Sequence, residues 1–205
     1  MLLQEALRGR RIVLGSASPR RRELLAGLGL EFTVEATPGA PETYSPDLQP
    51  EEIPSVLAVS KSEAFHRPLE PEEILITADT VVICGEDILG KPAGEEDAAR
   101  MLREISGRTH RVVTGVCLRD TERRHVFSCT SEVEFKPLTD EEIAYYIDRY
   151  RPFDKAGSYG IQEWIGYIGI TSIRGSYFNI VGLPVQRLYT ALSEFINSKS
   201  EAQAK

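Results

Sequence analysis

The strongest constraint on the fold is the alternation of strand-like and helix-like segments along the chain. An apolar run at 10–15 predicts a buried strand, an amphipathic segment follows, and alternating residues at 31–36 predict a half-exposed strand. An apolar, β-branched stretch at 74–92 then predicts consecutive strands with a turn at 85–87. Strands that alternate with helices in this way predict an α/β fold.

The remaining segments continue the alternation. Residues 110–135 predict a long hairpin, and 165–173 predict a strand within a glycine-rich stretch. Periodicity and capping signals predict helices over 51–66, around 98–105, after a capping box formed by Thr139 and Glu142, and from Pro184 onward. We therefore expect a mixed, strongly twisted β-sheet flanked by helices, with two lobes around a central cleft.

Length and cysteine usage limit the domain organisation. With 205 residues, 41% of them hydrophobic, the chain can form one well-cored domain. We expect this domain over 1–197 and a flexible tail over 198–205. Three widely spaced cysteines without a C-x-x-C pair argue against a disulfide framework and a zinc site, which favours a cytoplasmic location.

Charge and hydropathy limit the partners. The formal net charge is -7, so the backbone of a nucleic acid would meet a repulsive field. No segment approaches the roughly 20 apolar residues of a membrane span, and the apolar run at the start is too short for a signal peptide. We expect a small-molecule partner, and neither a nucleic acid nor a membrane.

The helix predicted after the first strand carries an unusual charge pattern. Ser18 is a good N-cap and Pro19 suits the first helical position, so Arg20, Arg21 and Arg22 fall in the first turn. The helix dipole disfavours cations at this end. An anion held by backbone N–H groups and guanidinium groups would reconcile the pattern, with Arg22 as the solvent-facing member.

A carboxylate interrupts the apolar run at 74–84. Asp79 is either a strand-end aspartate that caps a turn or pairs with a basic residue, or it is a metal ligand or general base at a sheet edge. Taken singly, Lys61, Lys91 and Lys155 fit ordinary surface positions. Together with the arginine turn, they supply enough positive charge for a triphosphate.

Two further polar residues lie in segments suited to function. Glu42 belongs to a long Pro-rich loop at 37–50 and is either a solvated acid or a partner of Asp79 around Mg²⁺. Gln162 is either an exposed turn residue or a reader of a base edge, since a side-chain amide both donates and accepts hydrogen bonds.

The motifs resemble a known family when taken in order. SASPRR, ADT, GKP, ISGRTHRVVTGV, DKAGSYGIQ and NIVGLPV follow one another from about residue 11 to 195. Their sequence and spacing resemble the Maf family of nucleoside triphosphate pyrophosphatases, and SPRR, ADT and YGIQ resemble its dTTP/UTP-directed branch. One departure is that APET offers only Glu42 where the family usually has an acidic pair.

The resemblance implies both a reaction and a site. The reaction is hydrolysis of a nucleoside triphosphate to the monophosphate and pyrophosphate with Mg²⁺, or with Mn²⁺ or Co²⁺, by a protein that often forms a homodimer. The family's catalytic aspartate falls on Asp79, its specificity positions on Arg20, Thr80 and Gln162, its phosphate-binding positions on Ser16, Arg21, Lys61, Lys91 and Lys155, and its metal positions on Asp79, Asp154 and Glu42.

Two other functions remain open at this point. The chain would act as a nucleotide-binding regulator if it bound a triphosphate without releasing pyrophosphate. It would be a phosphatase of another specificity if it released inorganic phosphate.

Overall fold

A computed structural model describes residues 2–39 and 42–203, with side chains described as far as Asn197. Its elements in chain order are α1 (Leu3–Ala6), β1 (Arg11–Leu14), α2 (Pro19–Ala26), β2 (Phe32–Val34), α3 (Ile53–Glu63), β3 (Glu73–Cys84), β4 (Asp87–Leu89), α4 (Glu95–Ile105), β5 (Thr109–Arg119), β6 (Arg124–Phe135), α5 (Asp140–Tyr150), α6 (Trp164–Gly169), β7 (Ile170–Arg174), α7 (Tyr177–Val181) and α8 (Val185–Gln203). A short 3₁₀ turn covers Ala156–Ser158.

The strands form one mixed sheet, as the sequence predicted. Their order is β2-β1-β3-β5-β6-β7, and β4 pairs separately with β3. β1 runs parallel to β2 and to β3, and helices α2 and α3 lie in the crossovers that these parallel pairs require. The remaining pairs are antiparallel, and the longest of them is the hairpin of β5 and β6.

The core consists of two large apolar clusters that share strand β3. Ile74 and Ile76 pack into one cluster with α1, α2 and α8. Val82 and Cys84 pack into the other cluster with α4 and α5. Between these two apolar halves, Asp79 and the residue after it are the only partly exposed positions of the strand. The division into two lobes stays a prediction.

Strand β3 has a gap in its pairing beside these polar positions. On one side β1 pairs with β3 only as far as Ile76, and the hairpin partner β4 begins to pair at Val82. Among the described residues, no strand fills the space between them. The other side of β3 pairs with β5 without interruption from Leu75 to Ile83. The gap opens the sheet at the level of Asp79.

Helix α3 lies against the sheet next to this gap. A Cβ atom at Gly115 on β5 would lie 2.3 Å from the backbone nitrogen of Ser55 and 2.4 Å from the carbonyl carbon of Pro54. The start of α3 therefore packs directly on the strand backbone. Gly115 is paired with Asp79 across β3 and β5, so this contact also places α3 beside the gap.

Most of the predicted elements are confirmed, but the strand predicted at 165–173 is partly wrong. Residues Trp164–Gly169 are helical, and the strand covers only Ile170–Arg174. The backbone carbonyl of Glu163 accepts hydrogen bonds from the N–H groups of Gly166 and Tyr167, which starts the helix. Gly166 also lies against the backbone of residue 161, where a side chain would not fit. Because glycines recur at short intervals, the segment has no clear hydrophobic periodicity from which the helix could be predicted.

The last helix extends further than the predicted domain boundary. Helix α8 runs from Val185 to Gln203, so the backbone stays helical beyond residue 197. The predicted flexibility of 198–205 stays a prediction. None of the helices in the described ranges combines the length and the apolar character that crossing a bilayer requires.

A buried histidine connects the sheet to the second cluster. His110 on β5 is 1% exposed, and its Nε2 atom lies 2.7 Å from the hydroxyl oxygen of Tyr159. Burial lowers the pKa of His110 from 6.5 to about 4. The folded protein therefore holds this imidazole in its neutral form near neutral pH.

We expect the Gly115→Ala substitution to lower the free energy of unfolding by about 1 to 3 kcal/mol or more, because the added methyl group overlaps backbone atoms of α3. Urea denaturation measures this change. Gly90→Ala is the matched control, since a Cβ atom there meets no atom within 4 Å. Equal midpoints for the two variants would contradict the packing described for α3.

We expect the free energy of unfolding to fall as the pH drops from about 7 to 5. In this range the unfolded chain protonates His110 near its ordinary pKa of 6.5, whereas the folded protein, with its pKa of about 4, does not. Denaturation midpoints across this pH range provide the measurement. The His110→Gln variant should show a smaller decrease, and a decrease as large as that of the parent would contradict the role of His110.

Candidate active site

A deep cleft of about 1270 Å³ opens at the gap in the sheet. Its walls come from the start of α2, the loop that precedes α3, the middle of β3, and the segments around residues 91, 160 and 181. Every residue predicted for the site lines this cleft, namely Ser16, Arg20, Arg21, Glu42, Lys61, Asp79, Thr80, Lys91, Asp154, Lys155 and Gln162. Arg22 is exposed and lies outside the lining, as predicted.

Asp79 lies on the floor of the cleft, in the middle of β3. The expectation that it ends a strand is therefore wrong, because the apolar residues on both sides of it continue the strand. One carboxylate oxygen accepts a short hydrogen bond from the ammonium group of Lys61 on α3. The other oxygen has no hydrogen-bond partner among the described residues, so it is available to a water molecule or a ligand.

Lys61 connects Asp79 with the loop. Its ammonium nitrogen lies 3.1 Å from a carboxylate oxygen of Glu42, whose side chain is 57% exposed. The hydrogen bond from Lys61 lowers the pKa of Glu42, and the charges of Lys91 and Arg21 lower it further. Both carboxylates are thus held next to one cation at the floor of the cleft.

The guanidinium group of Arg21 is fixed by the backbone of the cleft wall. Its Nε atom donates to the carbonyl oxygen of Gly182 at 2.9 Å, and its Nη2 atom donates to the hydroxyl oxygen of Thr80 at 3.1 Å. Burial lowers the pKa of Arg21, and the nearby carboxylate of Asp79 offsets part of this effect. Its remaining terminal nitrogen, Nη1, lies 3.5 Å from the hydroxyl oxygen of Ser16.

The hydroxyl group of Thr80 has a defined orientation. Thr114 on β5 donates its hydroxyl proton to the carbonyl oxygen of Asn179 at 3.1 Å. The hydroxyl oxygens of Thr80 and Thr114 lie 2.9 Å apart, so Thr80 donates to Thr114 and accepts from Arg21. In this structure the hydroxyl group of Thr80 binds the guanidinium group of Arg21. The prediction of Thr80 as a specificity residue does not include this role.

An ion pair spans the mouth of the cleft between the two clusters. Arg20 on α2 donates to a carboxylate oxygen of Asp154 at 2.6 Å. Lys155 donates to the other oxygen of Asp154 at 2.8 Å and also lies 3.0 Å from Glu163. Burial raises the pKa of Asp154, but the hydrogen bonds from Lys155 and Arg20 outweigh it and lower this pKa to about 2. Asp154 is therefore ionised at any ordinary pH.

Two of the residues predicted for the site, Lys91 and Gln162, line the cleft and have no hydrogen-bond partner among the described residues. Lys91 follows β4 in an exposed turn, and Gln162 is half-buried in the turn before α6. An ammonium group and an amide group are thus available to a ligand. Along the chain, Lys91 precedes and Gln162 follows the 3₁₀ turn of Ala156–Ser158, which packs against the second cluster.

The three carboxylates predicted to bind metal are not brought together. Glu42 and Asp79 meet at Lys61, whereas Asp154 lies with Arg20 and Lys155. Over 2–39 and 42–203, no group of three His, Cys, Asp or Glu side chains is arranged to hold a metal ion.

The sequence did not identify the residues that hold the lining side chains in place through hydrogen bonds and ion pairs. Tyr146 and Thr114 are fully buried, and Glu163 lies 3.0 Å from Lys155. The apolar spacing of α5 assigns Tyr146 to the core, and Thr114 reads as an ordinary strand residue. Only their hydrogen bonds, which join residues distant in the chain, reveal a role.

Sequence comparisons relate this chain to known proteins. A sequence model of a protein family, described as Maf-like protein, matches residues 11–195. A dTTP/UTP pyrophosphatase of Phocaeicola vulgatus is 53% identical over 190 residues, which cover 93% of this chain and 98% of the relative. One of Porphyromonas gingivalis is 56% identical over 187 residues, which cover 90% and 94%.

A similarity to a solved structure is more distant. The structure of a HAM1 protein from Coxiella burnetii has a TM-score of 0.45 and 15% sequence identity, and the match covers 90% of this chain and 99% of that chain. The family match runs from the first strand into the last helix, and the relatives share half of their residues over nearly their full lengths. The chain belongs to the Maf family.

Proposed function

We propose that this chain is a pyrophosphatase that hydrolyses dTTP and UTP to the monophosphate and pyrophosphate. The observation that carries the proposal is the identity of about half of all residues with relatives that bear this activity in their names. The cleft supports it, because it combines one free carboxylate oxygen with several fixed cations. This arrangement suits a substrate with a chain of phosphates.

Asp79 is the residue that we assign to the water molecule. The reaction breaks the bond between the α-phosphorus and the oxygen that bridges to the β-phosphorus, and water supplies the new oxygen. A base within hydrogen-bond reach both orients this water and removes its proton. The free oxygen of Asp79 can do so while Lys61 holds the other oxygen in place.

The basic residues bind the phosphates. Arg21 is already oriented by Gly182 and Thr80, so it presents its guanidinium group with little loss of side-chain freedom. Lys91 has no competing partner among the described residues. Arg20 and Lys155 share Asp154, and a triphosphate would compete with this carboxylate for both cations. The negative charge that develops on the leaving pyrophosphate is thereby neutralised.

The site also fits a divalent cation. Glu42 and Asp79 already hold a positive charge between them, that of Lys61, and carboxylate oxygens are the ligands that Mg²⁺ prefers. We therefore assign Glu42 and Asp79 as the protein ligands of Mg²⁺, with Mn²⁺ or Co²⁺ as alternatives. When bound, such an ion neutralises charge on phosphate oxygens. Asp154 is the weakest of the predicted ligands, because its two oxygens are occupied by Arg20 and Lys155.

Gln162 is the residue that we assign to the base. Uracil and thymine present an acceptor, a donor and an acceptor on one edge, and an amide group can pair with two of these. The amino group of cytosine would face the amide nitrogen instead. Because an unpaired buried polar group costs about 1 to 3 kcal/mol, this contact accounts for a discrimination of roughly tenfold to a hundredfold.

Location and assembly are further parts of the proposal. The number and spacing of the cysteines support a reducing cytoplasm, and all three cysteines are free. The homodimer rests on the family resemblance alone. Sedimentation of the purified protein would decide between monomer and dimer.

We expect Asp79→Asn to lower kcat for dTTP and UTP at least about a hundredfold, because the amide cannot accept the proton of the attacking water. Pyrophosphate release from dTTP, UTP, CTP, dATP and GTP with Mg²⁺ is the measurement. Asp87→Asn, at an exposed position on β4 outside the cleft, is the matched control. Release of inorganic phosphate would instead indicate a phosphatase, and binding without turnover would indicate a regulator.

We expect Gln162→Ala to lower the ratio of kcat/KM for UTP to that for CTP by about tenfold to a hundredfold, because the variant cannot distinguish the two base edges. Steady-state kinetics with both substrates give this ratio. Gln186→Ala, at an exposed position of α8, should leave it unchanged. A ratio for Gln162→Ala equal to that of the parent would remove this residue from base recognition.

A further inference from the structure

A buried hydrogen-bond network lies behind the cleft and joins two parts of the site that the chain separates. Tyr146 on α5 is 0% exposed, and its hydroxyl group donates a short hydrogen bond to one carboxylate oxygen of Glu163. The same hydroxyl oxygen accepts the backbone N–H of Gly160 at 2.9 Å. A tyrosine hydroxyl group has one proton to donate. Here that proton goes to Glu163, while the hydroxyl oxygen accepts from Gly160.

Glu163 continues the network toward the phosphates. Its second carboxylate oxygen lies 3.0 Å from the ammonium nitrogen of Lys155, whose side chain is 10% exposed. Lys155 in turn contacts Asp154, and Asp154 contacts Arg20. The network therefore runs from a backbone N–H group in the turn at 160 to two cations at the mouth of the cleft.

The same network encloses Gln162. Gly160 precedes this residue by two positions and is held by Tyr146, whereas Glu163 follows it directly and is held by both Tyr146 and Lys155. The turn is also in close contact with the network, because a Cβ atom at Gly160 would lie 2.8 Å from Glu163 and 3.0 Å from Lys155. The backbone on both sides of Gln162 is thus fixed by Tyr146 and its partners.

Burial keeps the tyrosine in the protonated form that the network needs. Desolvation raises the pKa of Tyr146, and the adjacent carboxylate of Glu163 raises it further. The hydroxyl group therefore remains a donor to Glu163 over the whole pH range in which enzymes are assayed. Neither atom of this contact belongs to a residue that sequence reasoning placed in the site.

We propose that Tyr146 and Glu163 are positioning residues that couple recognition of the base to binding of the phosphates. They fix the backbone on both sides of Gln162 and, through the same carboxylate, the ammonium group of Lys155. Loss of the tyrosine hydroxyl therefore changes both the selectivity between bases and the affinity for the triphosphate. This inference rests on the proposed function, in which Gln162 reads the base.

The test compares Tyr146→Phe with Tyr150→Phe. The two tyrosines lie on the same helix with their rings stacked 5.1 Å apart, but only the hydroxyl group of Tyr146 belongs to the network. We expect Tyr146→Phe to raise KM for UTP about tenfold and to lower the UTP:CTP ratio of kcat/KM by a similar factor, with kcat within about threefold of the parent. Tyr150→Phe should match the parent in all three quantities.

These readouts distinguish positioning from a general loss of stability. A variant that is merely destabilised contains less active protein, so its kcat falls equally for both substrates while KM and the selectivity ratio stay constant. Unchanged KM and an unchanged UTP:CTP ratio in Tyr146→Phe would overturn the proposal. If this variant does not fold, as circular dichroism would show, Glu163→Gln provides the same test, since it keeps the size of the side chain and removes its charge.

A binding measurement separates this inference from the proposed activity. Calorimetric titration with α,β-methylene-UTP and α,β-methylene-CTP, which resist cleavage at the α-phosphorus, gives the ratio of the two Kd values without turnover. A preference for the uridine analogue that is lost in Tyr146→Phe supports the coupling even if the parent releases no pyrophosphate. An equal ratio in parent and variant would refute the coupling even if the parent is an active pyrophosphatase.

Discussion

The gap in the pairing of β3 is the feature on which the site depends. β1 leaves the strand after Ile76 and β4 joins it at Val82, so five residues between them have one open edge. A carboxylate in the centre of a buried strand costs several kcal/mol when it has no partner, and Lys61 provides a partner for Asp79. The gap gives Asp79 access to the cleft while the apolar residues on both sides anchor the strand in two cores.

The cations around Asp79 come from elements that pack on the sheet for other reasons. Gly115 lets α3 approach the strand backbone, and this approach carries Lys61 to Asp79. The side chain of Arg21 extends from the first turn of α2 to the same floor. There the carbonyl oxygen of Gly182 accepts a hydrogen bond from its Nε atom. A chain with a net charge of -7 therefore concentrates positive charge in one cleft, where it favours a small polyanion.

Much of this structure could be predicted from the sequence, because its signals are local. The capping box at Thr139, the N-cap at Ser18 and most strands of the mixed sheet are confirmed. The helix over Trp164–Gly169 was missed, because contacts with the preceding turn determine it. The position of Asp79 within its strand was missed for a similar reason, since the gap beside it depends on where two other strands begin and end.

The uninterrupted ladder of β3 and β5 has a consequence for how the cleft binds. Nine residue pairs from Leu75 to Ile83 run beneath it, and they connect strand residues of the first core, such as Ile76, with strand residues of the second, such as Val82. The two cores cannot separate as independent bodies without breaking these backbone hydrogen bonds. The floor of the cleft, with Asp79 and Thr80, is therefore held in place by this ladder before a ligand arrives, so these two backbone positions lose little freedom on binding.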